Sequence, residues 1–92
     1  MSVSLKHLLN DVIKKYGLEK AMLNEQLPRI WTDMVSPRIA SITEVRSFEQ
    51  GILRVHVKDA VWRAELVLRR DELKNQLNTV IGQPVVNEII FR

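Results

Sequence analysis

The 92-residue sequence predicts a single α+β domain, residues 1–92, of element order α-α-β-β-α-β with a three-stranded sheet packed on helices that cover one side. Three observations predict it. The run ILRVHVK at 52–58 alternates with a period of two, so Leu53, Val55 and Val57 share one side of a strand and Arg54, His56 and Lys58 the other. Before and after this run, apolar residues recur at three-and-four spacing, as amphipathic helices require. Finally, 92 residues of 46% hydrophobic content can fill one core but not two.

In chain order, Ser2 or Ser4 can cap a first helix whose stripe is Leu5, Leu8, Leu9, Val12, Ile13 and Tyr16, with Gly17 permitting a left-handed exit. The pattern resumes from Leu18 to Val35, with Leu27, Ile30, Trp31, Met34 and Val35 as its stripe. Pro28 removes one amide there, which predicts a break or kink near Leu27, with short helices over 19–26 and 28–35 using Pro28 as a first-turn residue. Trp31 belongs to the core on this pattern. Ser36 can then cap and Pro37 start one further turn through Arg38, Ile39 and Ala40.

Residues 42–48 form a first strand with two mixed faces, and Glu49, Gln50 and Gly51 a short connection to the second strand over 52–58, giving an antiparallel hairpin. Asp59 offers a side-chain acceptor to the amides that follow, and Trp62, Leu66, Leu73, Leu77 and Val80 fall within about 60° of one another on a helical wheel. Arg69 sits close to that stripe. Either it extends its head outward, paired with Glu65 four residues earlier, or Asp71 caps a new helix and the long one bends. Gly82 ends the element and Gln83-Pro84 turns the chain. The last strand, over 85–91, is apolar on both faces at Ile89-Ile90, which predicts an interior position.

Fourteen Lys and Arg against eleven Asp and Glu give a net charge of +3, too mild to select a partner class by itself. With no cysteine and two histidines, His7 and His56, that lack ligand spacing, neither a disulfide framework nor a metal site is expected. The N-terminal stripe carries charges through its middle and has no small-residue cleavage site, so a cytoplasmic protein without a membrane partner is expected. Gly17, Gly51 and Gly82 form no phosphate loop, and Glu65 and Glu72 read as a solvated flank rather than a catalytic pair. An enzyme is not expected, nor a cofactor.

The distribution of positive charge is more informative. Arg54, His56 and Lys58 project from one strand face, with Arg46 expected beside Arg54 across the hairpin. Arg63, Arg70 and Lys74 line one helical flank at roughly 80 to 120° from Trp62. A stripe of this kind suits a phosphate backbone, because each phosphate neutralised releases a counterion. Arg46, Arg54, Lys58, Arg63, Arg70 and Lys74 are therefore the candidate nucleic-acid contacts, and His56 reads as a surface residue rather than a base. Since the aromatic residues mostly occupy apolar positions, binding should be weak, sequence-independent and salt-sensitive. The alternative is a protein–protein interaction module without nucleic-acid binding, docking through an apolar patch or an unpaired sheet edge.

The ordered set Trp31, Gly51-x-Leu53-x-Val55-x-Val57, Ala60-x-Trp62-x-x-Glu65-Leu66, Leu73-x-x-x-Leu77-Asn78, Ile81-Gly82 and Ile89-x-Phe91-Arg92 resembles the DciA family across nearly the whole chain after Leu5. These are bacterial proteins that load or operate the replicative helicase. The resemblance implies a K-homology-like fold that binds single-stranded DNA, or RNA, together with the hexameric helicase, and that performs no catalysis itself. The Gly-x-x-Gly clamp of true K-homology domains has no counterpart here.

Overall fold

The computed structural model describes residues 18–92, so the first helix expected from the sequence lies outside the described residues. The elements are α1 (Leu18–Met34), α2 (Pro37–Ile42), β1 (Thr43–Glu49), β2 (Ile52–Val57), α3 (Ala60–Leu68), α4 (Arg70–Ile81) and β3 (Glu88–Phe91). They form an α+β domain with the three strands packed against helices, as expected.

The structure has one helix here rather than two short ones, α1 running through Pro28. Leu27 and Trp31, on either side of the proline, are both buried, so packing holds the two halves in one line. Pro28 itself faces solvent, as does Asn24, the residue whose carbonyl would have accepted the missing amide. The second proline behaves as the sequence predicts. Ser36 accepts a hydrogen bond from the Ile39 amide at 3.3 Å, and Pro37 occupies the first turn of α2.

The strand order is β1-β2-β3, with β1 antiparallel and β3 parallel to β2. The last strand is thus an edge and β2 the interior strand, a correction to the sequence reading. Ile89 and Phe91 enter the core, and Ile90 is half-buried on the far face, which accounts for the doubly apolar pattern without an interior position.

Leu53, Val55 and Val57 of β2 are all buried against the helices, so Arg54 and His56 point to the opposite face. In β1 the register shifts between Val45 and Ser47, leaving Arg46 as the extra residue of a bulge. The mixed faces follow from it. Thr43 and Val45 pair with Val57 and Val55, and Phe48, three residues beyond Val45, still lands opposite Leu53 on the core side. The hairpin turns through Gln50 and Gly51, with φ of 53° and 78°, a type I′ turn matched to strand twist.

The sequence allows one helix after Asp59 or a bend with a new helix capped by Asp71; the structure has two helices, parted at Arg69 rather than capped by Asp71. Asp59 caps α3 by accepting from the Trp62 amide at 3.0 Å. The chain then breaks at Arg69, which leaves helical geometry (φ −99°, ψ 10°) and opens α4 with no side-chain cap. The break turns Arg69 out of the apolar stripe to meet Glu65 at 2.8 Å. It also offsets the stripe beyond it: Val80, grouped with Leu66, Leu73 and Leu77 on a continuous wheel, is 60% exposed.

Two polar devices tie the layers together. Trp31 is 1% exposed and donates its indole N–H to Thr43 Oγ1 at 2.9 Å, and that hydroxyl donates in turn to the Ile39 carbonyl at 2.7 Å. The Asn78 side chain bonds both the amide (2.8 Å) and the carbonyl (2.9 Å) of Val86, pinning the approach to β3 onto α4. Gly51 is constrained twice, by its positive φ and by the Asn87 side chain, which occupies the space that a Cβ would need. Gly51→Ala should lower unfolding free energy by about 2 kcal/mol, measured by urea denaturation.

Candidate nucleic-acid interface

The face of β2 turned away from the helices carries Arg54 and His56, and its neighbours determine what stands beside them. On one side the β1 bulge delivers Arg46, with Ser47 paired to Arg54 and Glu44 to His56. On the other, parallel pairing sets Ile90 beside Arg54 and extends past Phe91, where the Arg92 amide donates to the Val55 carbonyl at 3.0 Å and the Val57 amide to the Arg92 carbonyl. Together, Arg46, Arg54, Val55, His56, Ile90 and Arg92 line a shallow hollow of about 330 Å³.

Three guanidinium groups thus surround an apolar floor. Arg46 has one acidic neighbour, Glu44 Oε2 at 3.6 Å, a loose and exposed pair worth at most about 1 kcal/mol. Among the described residues, no carboxylate lies within 4.0 Å of Arg54 or Arg92. Like charges on neighbouring strands repel, and an anion seated between them would convert the repulsion into attraction.

The six candidate residues named from the sequence divide between two layers. Arg46 and Arg54 come together at the hollow. Lys58 follows the end of β2, exposed, with its amide bonded to the Ile42 carbonyl at 2.8 Å. Arg63, Arg70 and Lys74 lie on α3 and α4, in the layer on the other side of the sheet. Arg63 is turned inward: its Nη2 donates to the Val57 carbonyl at 2.9 Å, and its buried Nε has no partner among the described residues. A single stripe running from strand to helix flank is therefore not what the structure assembles.

Two polar members of the hollow are not among the six. His56 reads from the sequence as a surface residue, and no local pattern marks Arg92. A period of two assigns Arg92 to the side of Ile90, but only parallel pairing with β2 brings that side next to His56. Trp62, placed in the core stripe by the sequence, is half-buried with the Arg38 guanidinium 5.7 Å above its ring.

The chain is thus a small α+β scaffold whose strand face gathers arginines beside Ile90, with helices on the other side, and that face is the candidate interface. The model of the DciA family (Dna[CI] antecedent) matches residues 4–91, and the chain belongs to that family. Membership carries a helicase-loading role in DNA replication, without catalysis by the protein itself. No curated protein matches the chain. Among the described residues, no helix is long and apolar enough to cross a membrane.

The division between layers has a measurable consequence. Arg63→Ala removes a charged donor from the Val57 carbonyl and should cost about 1.5 to 3 kcal/mol of stability. Arg54→Ala should change stability by no more than about 0.5 kcal/mol in the same chemical-denaturation assay.

Proposed function

We propose that this protein acts in the cytoplasm as a non-enzymatic accessory of DNA replication, binding single-stranded DNA through the arginine-bearing sheet face while it engages the replicative helicase. The observation that carries the reading is the convergence of Arg46, Arg54 and Arg92, with His56, on one hollow where a single acidic neighbour approaches them among the described residues. A single strand suits this site. Its phosphates are spaced along a flexible backbone that can follow the arginines, and its sugars can rest against Ile90. Lys58, exposed beyond β2, can extend the path, whereas Arg70 and Lys74 on the helical layer contribute at longer range. Arg63 contributes least, because its guanidinium is bonded to the fold.

Binding should be sequence-independent, since nothing in the hollow reads base edges, and it should weaken steeply with salt. Titrating a fluorescent oligothymidylate at several salt concentrations tests this. Replacing Arg54 and Arg92 together by Ala should lower affinity at low salt by tenfold or more. It should also reduce the slope of log K against log salt by about 0.7 for each phosphate that the variant no longer neutralises. Replacing Arg70 and Lys74 together should have a smaller effect. If the unaltered chain fails to bind the oligonucleotide even at low salt, the domain is instead a protein interaction module without a nucleic-acid role.

A further inference from the structure

We infer that Trp62 is a stacking platform for one base of a bound single strand, and that Arg38 pairs with the phosphate beside that base. The role rests on single-strand binding through the arginine hollow. The two tryptophans of the chain are placed differently. Trp31 is 1% exposed and its indole N–H is bonded to Thr43. Trp62 is only half-buried, on the first turn of α3. Among the described residues, Arg63 Nε is the one buried side-chain donor without a partner, so the Trp62 indole N–H, which has no acceptor there either, reaches solvent.

The contact over the ring is of a kind that a base can replace. The Arg38 guanidinium lies 5.7 Å from the ring centroid. Arg38 is exposed, and among the described residues no carboxylate lies within 4.0 Å of it. The attraction of the cation for the ring face holds it there, and that attraction is weak where water reaches. A base stacks on an aromatic ring through its own π-face, whatever its identity. A base that takes the ring frees the guanidinium, and a long arginine side chain can then reach the phosphate of the same nucleotide.

Position ties the pair to the hollow. Arg54, His56 and Lys58 share one side of the chain as β2 ends, with Lys58 about 13 Å beyond Arg54. The Lys58 amide bonds the Ile42 carbonyl at the end of α2, the helix that carries Arg38, and the Arg92 carbonyl bonds the Val57 amide. A strand that leaves the hollow past Arg92 and Lys58 therefore rounds the end of the sheet where α2 and the start of α3 meet it. Carboxylates are sparse there: Asp59 is the one acidic residue between His56 and Ala64, and its oxygen accepts from the Trp62 amide at 3.0 Å. Tryptophan and arginine also anchor protein interfaces, but these cations favour a polyanion.

Fluorescently labelled oligothymidylate, and an abasic strand of the same length that keeps the sugars and phosphates, are titrated with the full chain. The unaltered chain should bind the oligothymidylate at least about fivefold more tightly than the abasic strand. Trp62→Leu, which keeps apolar bulk without a π-face, should abolish that preference, and Trp62→Phe should retain most of it. Neither should change the slope of log K against log salt, since no phosphate contact is lost. Arg38→Ala should keep the preference and reduce the slope by about 0.7. A purely structural Trp62 would weaken both strands alike in Trp62→Leu, with a lower melting temperature and the preference intact, and that result overturns the assignment. Equal binding of the two strands by the unaltered chain also overturns it, while the hollow remains the interface. If Trp62→Leu binds both strands as the unaltered chain does, the ring is a protein-contact residue instead. An unchanged slope in Arg38→Ala removes the phosphate role of Arg38. Failure of the unaltered chain to bind either strand at low salt overturns both the platform and the hollow.

Discussion

The alternation of β2 is the constraint on which the other features depend. Because β2 is hydrogen-bonded on both sides, its register is held by two ladders, and a slip of one residue would turn Leu53, Val55 and Val57 out of the core while burying Arg54 and His56. That exchange would expose three buried side chains, at about 1.5 to 3 kcal/mol each, and strand two charged or polar groups under the helices. The same pairing that secures the core holds the arginines on the other face. Stability and the binding surface are therefore two sides of one strand.

The rest of the core is organised to meet that face. Trp31 reaches from α1 to the start of β1, and its indole, the Thr43 hydroxyl and the Ile39 carbonyl form a chain in which each buried donor has an acceptor. The Trp31 ring also lies 6.1 Å from that of Phe91, linking α1 to the far edge of the sheet. Between β2 and β3 the parallel pairing demands a crossover, and α3 and α4 supply it by lying over the same apolar face. The break at Arg69 lets two short helices cover that face from different directions, and the most exposed residues of α3, Val61 and Leu68, are apolar.

A division of labour between layers follows. The sheet carries Arg46, Arg54 and Arg92 around a hollow that Ile90 also lines. The helical layer carries the exposed apolar residues Val61, Val67 and Leu68 on α3. Arg63 illustrates the boundary: a long cationic side chain on the helical layer, bonded to the sheet rather than offered to solvent.

The sequence by itself determined the fold class, the hairpin, the capped entries of α2 and α3, and which face of β2 is oily, since each depends on neighbours within a few residues. The family was legible too, in motifs whose order survives along the chain. Tertiary structure decided the remainder. Pro28 did not break α1, because burial of Leu27 and Trp31 outweighs one missing hydrogen bond; α3 and α4 parted at Arg69, because the core needed a different stripe on each side. Two of the three arginines of the hollow were visible beforehand, Arg46 and Arg54 being neighbours across a hairpin. Arg92 was not, because it reaches His56 only through a parallel pairing across the whole α3–α4 crossover, a distance that no local pattern spans.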